Sequence, residues 1–179
     1  MSLTILRDDK PILITVTPVG KTGPQGPMGP LIADLPRGQI SIQNGTTPTN
    51  IVTAGVFVPA GVNGTLDASV SIDFETLTDG DFGMRYTGAT TRTFWIFGSF
   101  DCSDGNNRTL AIRMAKNGTA IPATECRAFT SSGGAEAKLV SNWMIELATD
   151  DEISLIIANI THADDITIRR GRLVVNSIP

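Results

Sequence analysis

The fold class the sequence predicts is all-β, an antiparallel sandwich of two sheets, and three observations predict it. Short β-prone runs follow one another from residue 39 to residue 175, with turn residues between them at the spacing of a sandwich. Two of these runs flank Asn117-Gly118, the strongest short signal for a β-hairpin. Helical periodicity is poor. Its one candidate, residues 134 to 147, fits either period, and Trp143, Ile145 and Leu147 alternate into the turn Thr149-Asp150-Asp151, which favours strand.

Residues 1 to 19 form the first element, an N-terminal β arm. Residues 2 to 7 and 11 to 17 are β-prone, Pro11 interrupts the run and Pro18 closes it. A pair of strands or an extended arm fits. Either is too small to bury a core in one copy. Leu3, Ile5, Ile12, Ile14 and Val16 are therefore candidates to attach the chain to another protein, on whose sheet edge such an arm can lie.

Residues 20 to 31 read GKTGPQGPMGPL. Gly20, Gly23, Gly26 and Gly29 keep a strict period of three, and Pro24, Pro27 and Pro30 each follow a glycine. Three polyproline II chains can wind together only where every third residue lacks a side chain, so the pattern specifies a conformation and a partner count of three. The stretch would extend about 35 Å. The other reading is a stiff, extended linker within one chain. Gly20-Lys21-Thr22 is no phosphate-binding loop, because that loop needs glycine where Thr15 stands.

Residues 32 to 179 make the head. Candidate strands are 39 to 43, 51 to 58, 65 to 75, 82 to 86, 93 to 100, 109 to 116, 119 to 124, 129 to 130, 138 to 147, 152 to 159 and 165 to 175, merging into about eight. In 65 to 75, Leu66, Ala68, Val70, Ile72 and Phe74 share one face, and acids and serines share the other. In the last run the phase changes near Gly171, where a bulge is expected. Phe94, Trp95, Phe97, Phe100 and Trp143 are candidates for the core or for a trimer interface. The position of Trp95 inside a strand favours core over an exposed sugar-binding platform.

The composition narrows the function. Hydrophobic residues are 41%, charged residues 18% and the formal net charge is −4, which is globular and gives nucleic acid little to bind. The most basic stretch is Arg169-Arg170-Gly171-Arg172. Charges at Arg7, Asp8, Asp9 and Lys10 break the N-terminal apolar run, so neither a secretory leader nor a membrane span is expected, and synthesis in a cytoplasm is. Cys102 and Cys126 are too few for a disulfide framework and match no zinc spacing. Two unbonded thiols are preferred over one bridge.

No cofactor, metal or catalytic residue is expected. The one histidine, His162, sits in a turn beside Asp164 with no nucleophile near it in sequence. Acidic groups at 79 to 81, 101 to 104 and 150 to 152 read as solvated turns, with a calcium ion at a trimer axis as the sharper alternative. Asp73 and Glu75 mark no cleft for sugar hydrolysis. The Asn-X-Thr sites at Asn44, Asn63, Asn107, Asn117 and Asn159 read as by-products of polar β turns.

The order of these elements resembles a known layout. A short collagen-like stretch, the central Asn117-Gly118 hairpin, Asp150-Asp151-Glu152 leading into the strand at 153 to 158, and a final strand ending almost at residue 179 look like the collagen-associated heads of complement proteins and the related tumour-necrosis-factor-like trimers. The resemblance implies a jelly-roll head that forms a homotrimer, with aromatic and aliphatic contacts about the threefold axis. The β arm and brief collagen stretch are also similar to bacteriophage structural proteins. That resemblance implies a virion-surface component without enzymatic activity, a capsid decoration or cement protein or head fibre, held by its arms to the major capsid protein or another virion protein. The alternative is the receptor-binding tip of a tail fibre, recognising a host glycan or protein.

Overall fold

The structure is a computed structural model and describes residues 2–7, 10–15, 35–79, 81–103, 105–132 and 135–179. The chain divides into two units, residues 1–31 and 32–179. In the first, β1 (Ser2–Arg7) and β2 (Lys10–Thr15) pair antiparallel. Leu3 stands opposite Ile14 and Ile5 opposite Ile12. Val16 and the triplet residues Gly20, Gly23, Pro24, Gly26, Pro27, Gly29 and Pro30 lie outside the described residues.

The second unit is a jelly-roll sandwich. Its strands are β3 (Arg37–Gln43), β4 (Pro48–Thr49), β5 (Val58–Pro59), β6 (Thr65–Leu66), β7 (Phe74–Thr76), β8 (Gly83–Tyr86), β9 (Arg92–Ser103), β10 (Arg108–Lys116), β11 (Thr119–Thr130), β12 (Ala137–Leu147), β13 (Glu152–Asn159) and β14 (Ile166–Ser177). One sheet has the order β12-β9-β14-β3-β6, with β4 on β14; the other has the order β11-β10-β13-β8-β7, with β5 on β13. The chain crosses between sheets after β4, β5, β6, β8, β9, β11, β12 and β13. Such crossings wrap one sheet over the other and enclose a single core.

Period-two patterning builds that core. In β9, Phe94, Ile96, Phe100 and Cys102 point inward and are buried. They meet Leu110, Ile112 and Met114 of β10, Leu155 and Ile157 of β13, and Leu173 and Val175 of β14. Phe74, Tyr86 and Phe94 form an aromatic cluster with centroids 5.0–5.5 Å apart. The Tyr86 hydroxyl donates to the Thr90 carbonyl at 2.8 Å, so the buried phenol keeps a partner. Strand β13 is buried along nearly its whole length; β5 pairs with it, and the Gly55 N–H donates to its Asn159 carbonyl at 2.8 Å.

Two predicted strands are not strands along their length. Of residues 65 to 75, only Thr65–Leu66 and Phe74–Thr76 are extended. Between them Asp67 closes a turn: its carboxylate accepts from the Ser69 N–H and hydroxyl, its carbonyl accepts from the N–H groups of Val70 and Ser71, and Asp73 has φ of 59°. Side-chain hydrogen bonding of this kind offers the backbone an alternative to the ladder. Of residues 51 to 58, only Val58 is in a strand, because Gly55 turns the chain at φ 79°. The expected bulge in β14 lies between Ile168 and Arg170, just before Gly171. Strand β11 is longer than expected and interrupted. Its register on β10 jumps from Ile112 opposite Cys126 to Met114 opposite Ile121. Pro122 has no N–H to give, and the Thr124 hydroxyl instead accepts from the Met114 N–H at 2.8 Å. The Ser141 hydroxyl of β12 then donates to the Thr124 carbonyl at 2.6 Å and ties the two sheets at this edge.

The hairpin turn is fastened to the turn before β13. Asn117 (φ 50°) and Gly118 (φ 72°) give the left-handed pair a two-residue hairpin needs. The Asn117 side-chain oxygen accepts from the Glu152 N–H, and its amide donates to Asp151, both at 2.7 Å. Asp151 also accepts from the Ala148 N–H and pairs with Lys116, again at 2.7 Å. Burial pushes the Asp151 carboxyl up, but Lys116, Asn117 and the Ala148 N–H together hold it below its ordinary value. A lowered folded-state pKa stabilises above the unfolded-state value and is lost as pH falls through the folded one. Asp151→Asn is therefore expected to lower the melting temperature at pH 7, with the gap to the unsubstituted protein closing as pH falls below about 4. Thermal melts across pH 2 to 7, on the order of five points, check this.

Candidate self-association face

The outward face of the β12-β9-β14-β3 sheet is the most informative surface of the head. Register places its residues in rows. Met144, Trp95, Asn176 and Arg37 make one; Asn142, Phe97, Val174 and Gln39 the next; Val140, Ser99, Arg172 and Ser41 a third; Lys138, Asp101, Arg170 and Gln43 a fourth. Apolar side chains crowd the first rows and charged ones the last.

At the apolar end Trp95 is 39% exposed, Met144 63% and Val140 46%. The Trp95 and Phe97 rings stack at 6.0 Å and 23°. Single exposed hydrophobic residues are ordinary on a protein surface, but a contiguous aromatic and aliphatic patch marks an interaction site. At the charged end Arg170 is 3.8 Å from Asp101, and Arg172 donates to Gln39 at 2.6 Å.

Alternation separates the aromatic candidates. Phe94 and Phe100 lie in the sandwich core, while Trp95 and Phe97 lie on the outward face of the same strand. A strand interior does not bury Trp95, because the strand shows every second residue to solvent. Trp143 is opposite the buried Ile96 but sits on edge strand β12 and is 39% exposed. Phe129, 61% exposed on β11, belongs to the other sheet, and the exposed Val52 and Val56 lie in the loop before β5. Their strand or loop positions carry no distinguishing sequence signal. Leu3, Ile5, Ile12 and Ile14 are in the separate two-stranded sheet already described.

Catalytic chemistry finds no seat among the described residues. His162 is exposed, with its Nε2 3.3 Å from the guanidinium of Arg108, which pairs with Asp164 at 2.7 Å. No group of three His, Cys, Asp or Glu side chains among the described residues could hold a metal ion. Cys102 and Cys126 are not disulfide-bonded. No helix among the described residues is long and apolar enough to cross a membrane.

No protein-family model matches the sequence, and no curated protein matches it. Solved structures do match in fold. The Eiger TNF of S. frugiperda aligns with a TM-score of 0.58 at 9% identity, covering 82% of this chain and 94% of that one. Murine APRIL aligns with a TM-score of 0.53 at 10% identity, covering 79% of this chain and 99% of that one. The PRD1 vertex protein P5 stands at 0.49 and 9% identity, too distant to argue from. At these identities the likeness establishes the fold.

Proposed function

We propose that the chain is a non-enzymatic homotrimeric binding head of the tail-fibre-tip kind, displayed on the virion surface and engaging a host glycan or protein. The observation that carries this is the apolar half of the outward sheet face, Trp95, Phe97, Val140, Met144 and Val174. An apolar patch of this kind is stabilised by covering, and copies of the same chain supply a matching surface. The triplets at Gly20, Gly23, Gly26 and Gly29 favour three copies. A trimer formed through this face leaves Phe129 of the other sheet and Val52 and Val56 of the loop before β5 exposed, and aromatic and aliphatic residues of that kind are what a partner engages.

Sedimentation equilibrium of the whole chain and of residues 32 to 179 tests the assembly. Three copies in both samples are expected, since the face lies in the head. Loss of the trimer on truncation would place assembly in the triplets, and a single copy in both would reject it. A glycan array and a pull-down from host envelopes then test binding.

Capsid decoration is the second reading, and β1 and β2 favour it. Among the described residues no other strand pairs with either, so two edges have backbone groups to offer another sheet. Three such arms gripping one shell would act as one strong attachment. Deleting residues 1 to 19 would then release the protein from virions and leave host binding unchanged.

A further inference from the structure

We propose that the charged end of the sheet face binds a small polyvalent oxyanion of the phosphate or sulfate class, enclosed where the three copies meet. The proposal rests on the self-association reading above. The rows at this end carry Lys138, Arg170 and Arg172 against a single acid, Asp101. Each copy thus brings an excess of two positive charges (three less one), in a chain whose formal net charge is −4.

Room and donors are present together. A concavity of about 300 Å³ opens here, lined by Ser41, Gln43, Ser99, Asp101, Arg170 and Arg172. Its floor is low because the residues that flank Arg172 in its row, Ser41 and Ser99, have short side chains. Asp101 approaches Arg170 at 3.8 Å, beyond hydrogen-bond distance, and Arg170 remains 67% exposed. Arg172 is turned toward a neutral amide, Gln39. Guanidinium groups present planar pairs of donors that fit a tetrahedral oxyanion, and serine hydroxyls and an amide add neutral donors.

Convergence makes the ion necessary. Three copies facing one axis would bring their Arg170 and Arg172 side chains together. Like charges withdrawn from water repel strongly unless compensated. A polyvalent anion at the centre compensates several at once, whereas chloride compensates one.

The test compares inorganic phosphate, sulfate and chloride at matched ionic strength, by thermal melts and by sedimentation of the full chain. About 10 mM phosphate or sulfate is expected to raise the melting temperature of the trimer by about 5 °C over chloride. The double variant Arg170→Gln/Arg172→Gln is expected to stay trimeric and to lose that difference. Oxyanions also stabilise proteins generally by exclusion from their surface. A shift of equal size in both proteins would be that general effect and would overturn the proposal. So would a trimer indifferent to the anion, which leaves self-association standing. A monomer in every buffer would overturn the self-association reading itself, and this proposal with it.

Discussion

A chain carrying Trp95→Asp and Met144→Asp is expected to sediment as a folded monomer at micromolar concentration, where a trimer is expected of the unsubstituted chain. Both positions face outward on neighbouring strands, in one row of the sheet. The sandwich interior does not feel them, and surface substitutions of this kind usually change fold stability by no more than about 0.5 kcal/mol. In the assembly the same carboxylates would be withdrawn from water without partners. An uncompensated buried charge costs about 3–5 kcal/mol, so two per copy exceed what a trimer of ordinary affinity can absorb. Sedimentation velocity reads the mass, and far-ultraviolet circular dichroism confirms that the strands persist. A double variant that keeps the trimer would show that assembly uses another surface.

Phe94→Ala is expected to lower the melting temperature of the head by about 10 °C. Phe94 is fully buried, edge-on to Phe74 at 5.5 Å and to Tyr86 at 5.0 Å. Removing the ring loses its transfer free energy and leaves a cavity that the surrounding sheets cannot close, together about 3–5 kcal/mol. The measurement belongs in the Trp95→Asp/Met144→Asp background, so that subunit association does not add to the apparent stability. A loss below about 1 kcal/mol there would mean that the two sheets close around the gap.

Much of the head was legible because local and tertiary preferences agree. Asn117-Gly118 names its own turn, and the run from Glu152 to Asn159 is a strand over the residues expected. The long strands β9 and β12 also fall where their aromatic and aliphatic residues place them. Residues 65 to 75 misled for the opposite reason. Their alternation is as clean as any in the chain, yet Asp67, Ser69 and Asp73 favour a turn locally, and between Leu66 and Phe74 strand β3 meets the segment, backbone to backbone, only in an isolated bridge from Arg37 to Ile72 and one bond from the Asp67 N–H to the Gln39 carbonyl. Alternation also left the sense of β9 undecided. It separates Phe94 from Trp95 without saying which is inside, and only the packing against β10 and β13 settles that. The face was legible only in Trp95 and Phe97, which stood among the candidates for the core or a trimer interface. It is assembled from four strands that are distant in sequence, and Met144 becomes a neighbour of Trp95 only through the register of β12 on β9.

The interruption of β11 bears on how the molecule behaves when crowded. An uninterrupted outer strand offers a row of amide and carbonyl groups on which a stranger's strand can grow, and heads held at high local density would meet that hazard constantly. The residues from Pro122 to Thr124 bow out of the ladder, and the Thr124 carbonyl is engaged by Ser141. The rim therefore lacks the regular comb on which such growth depends.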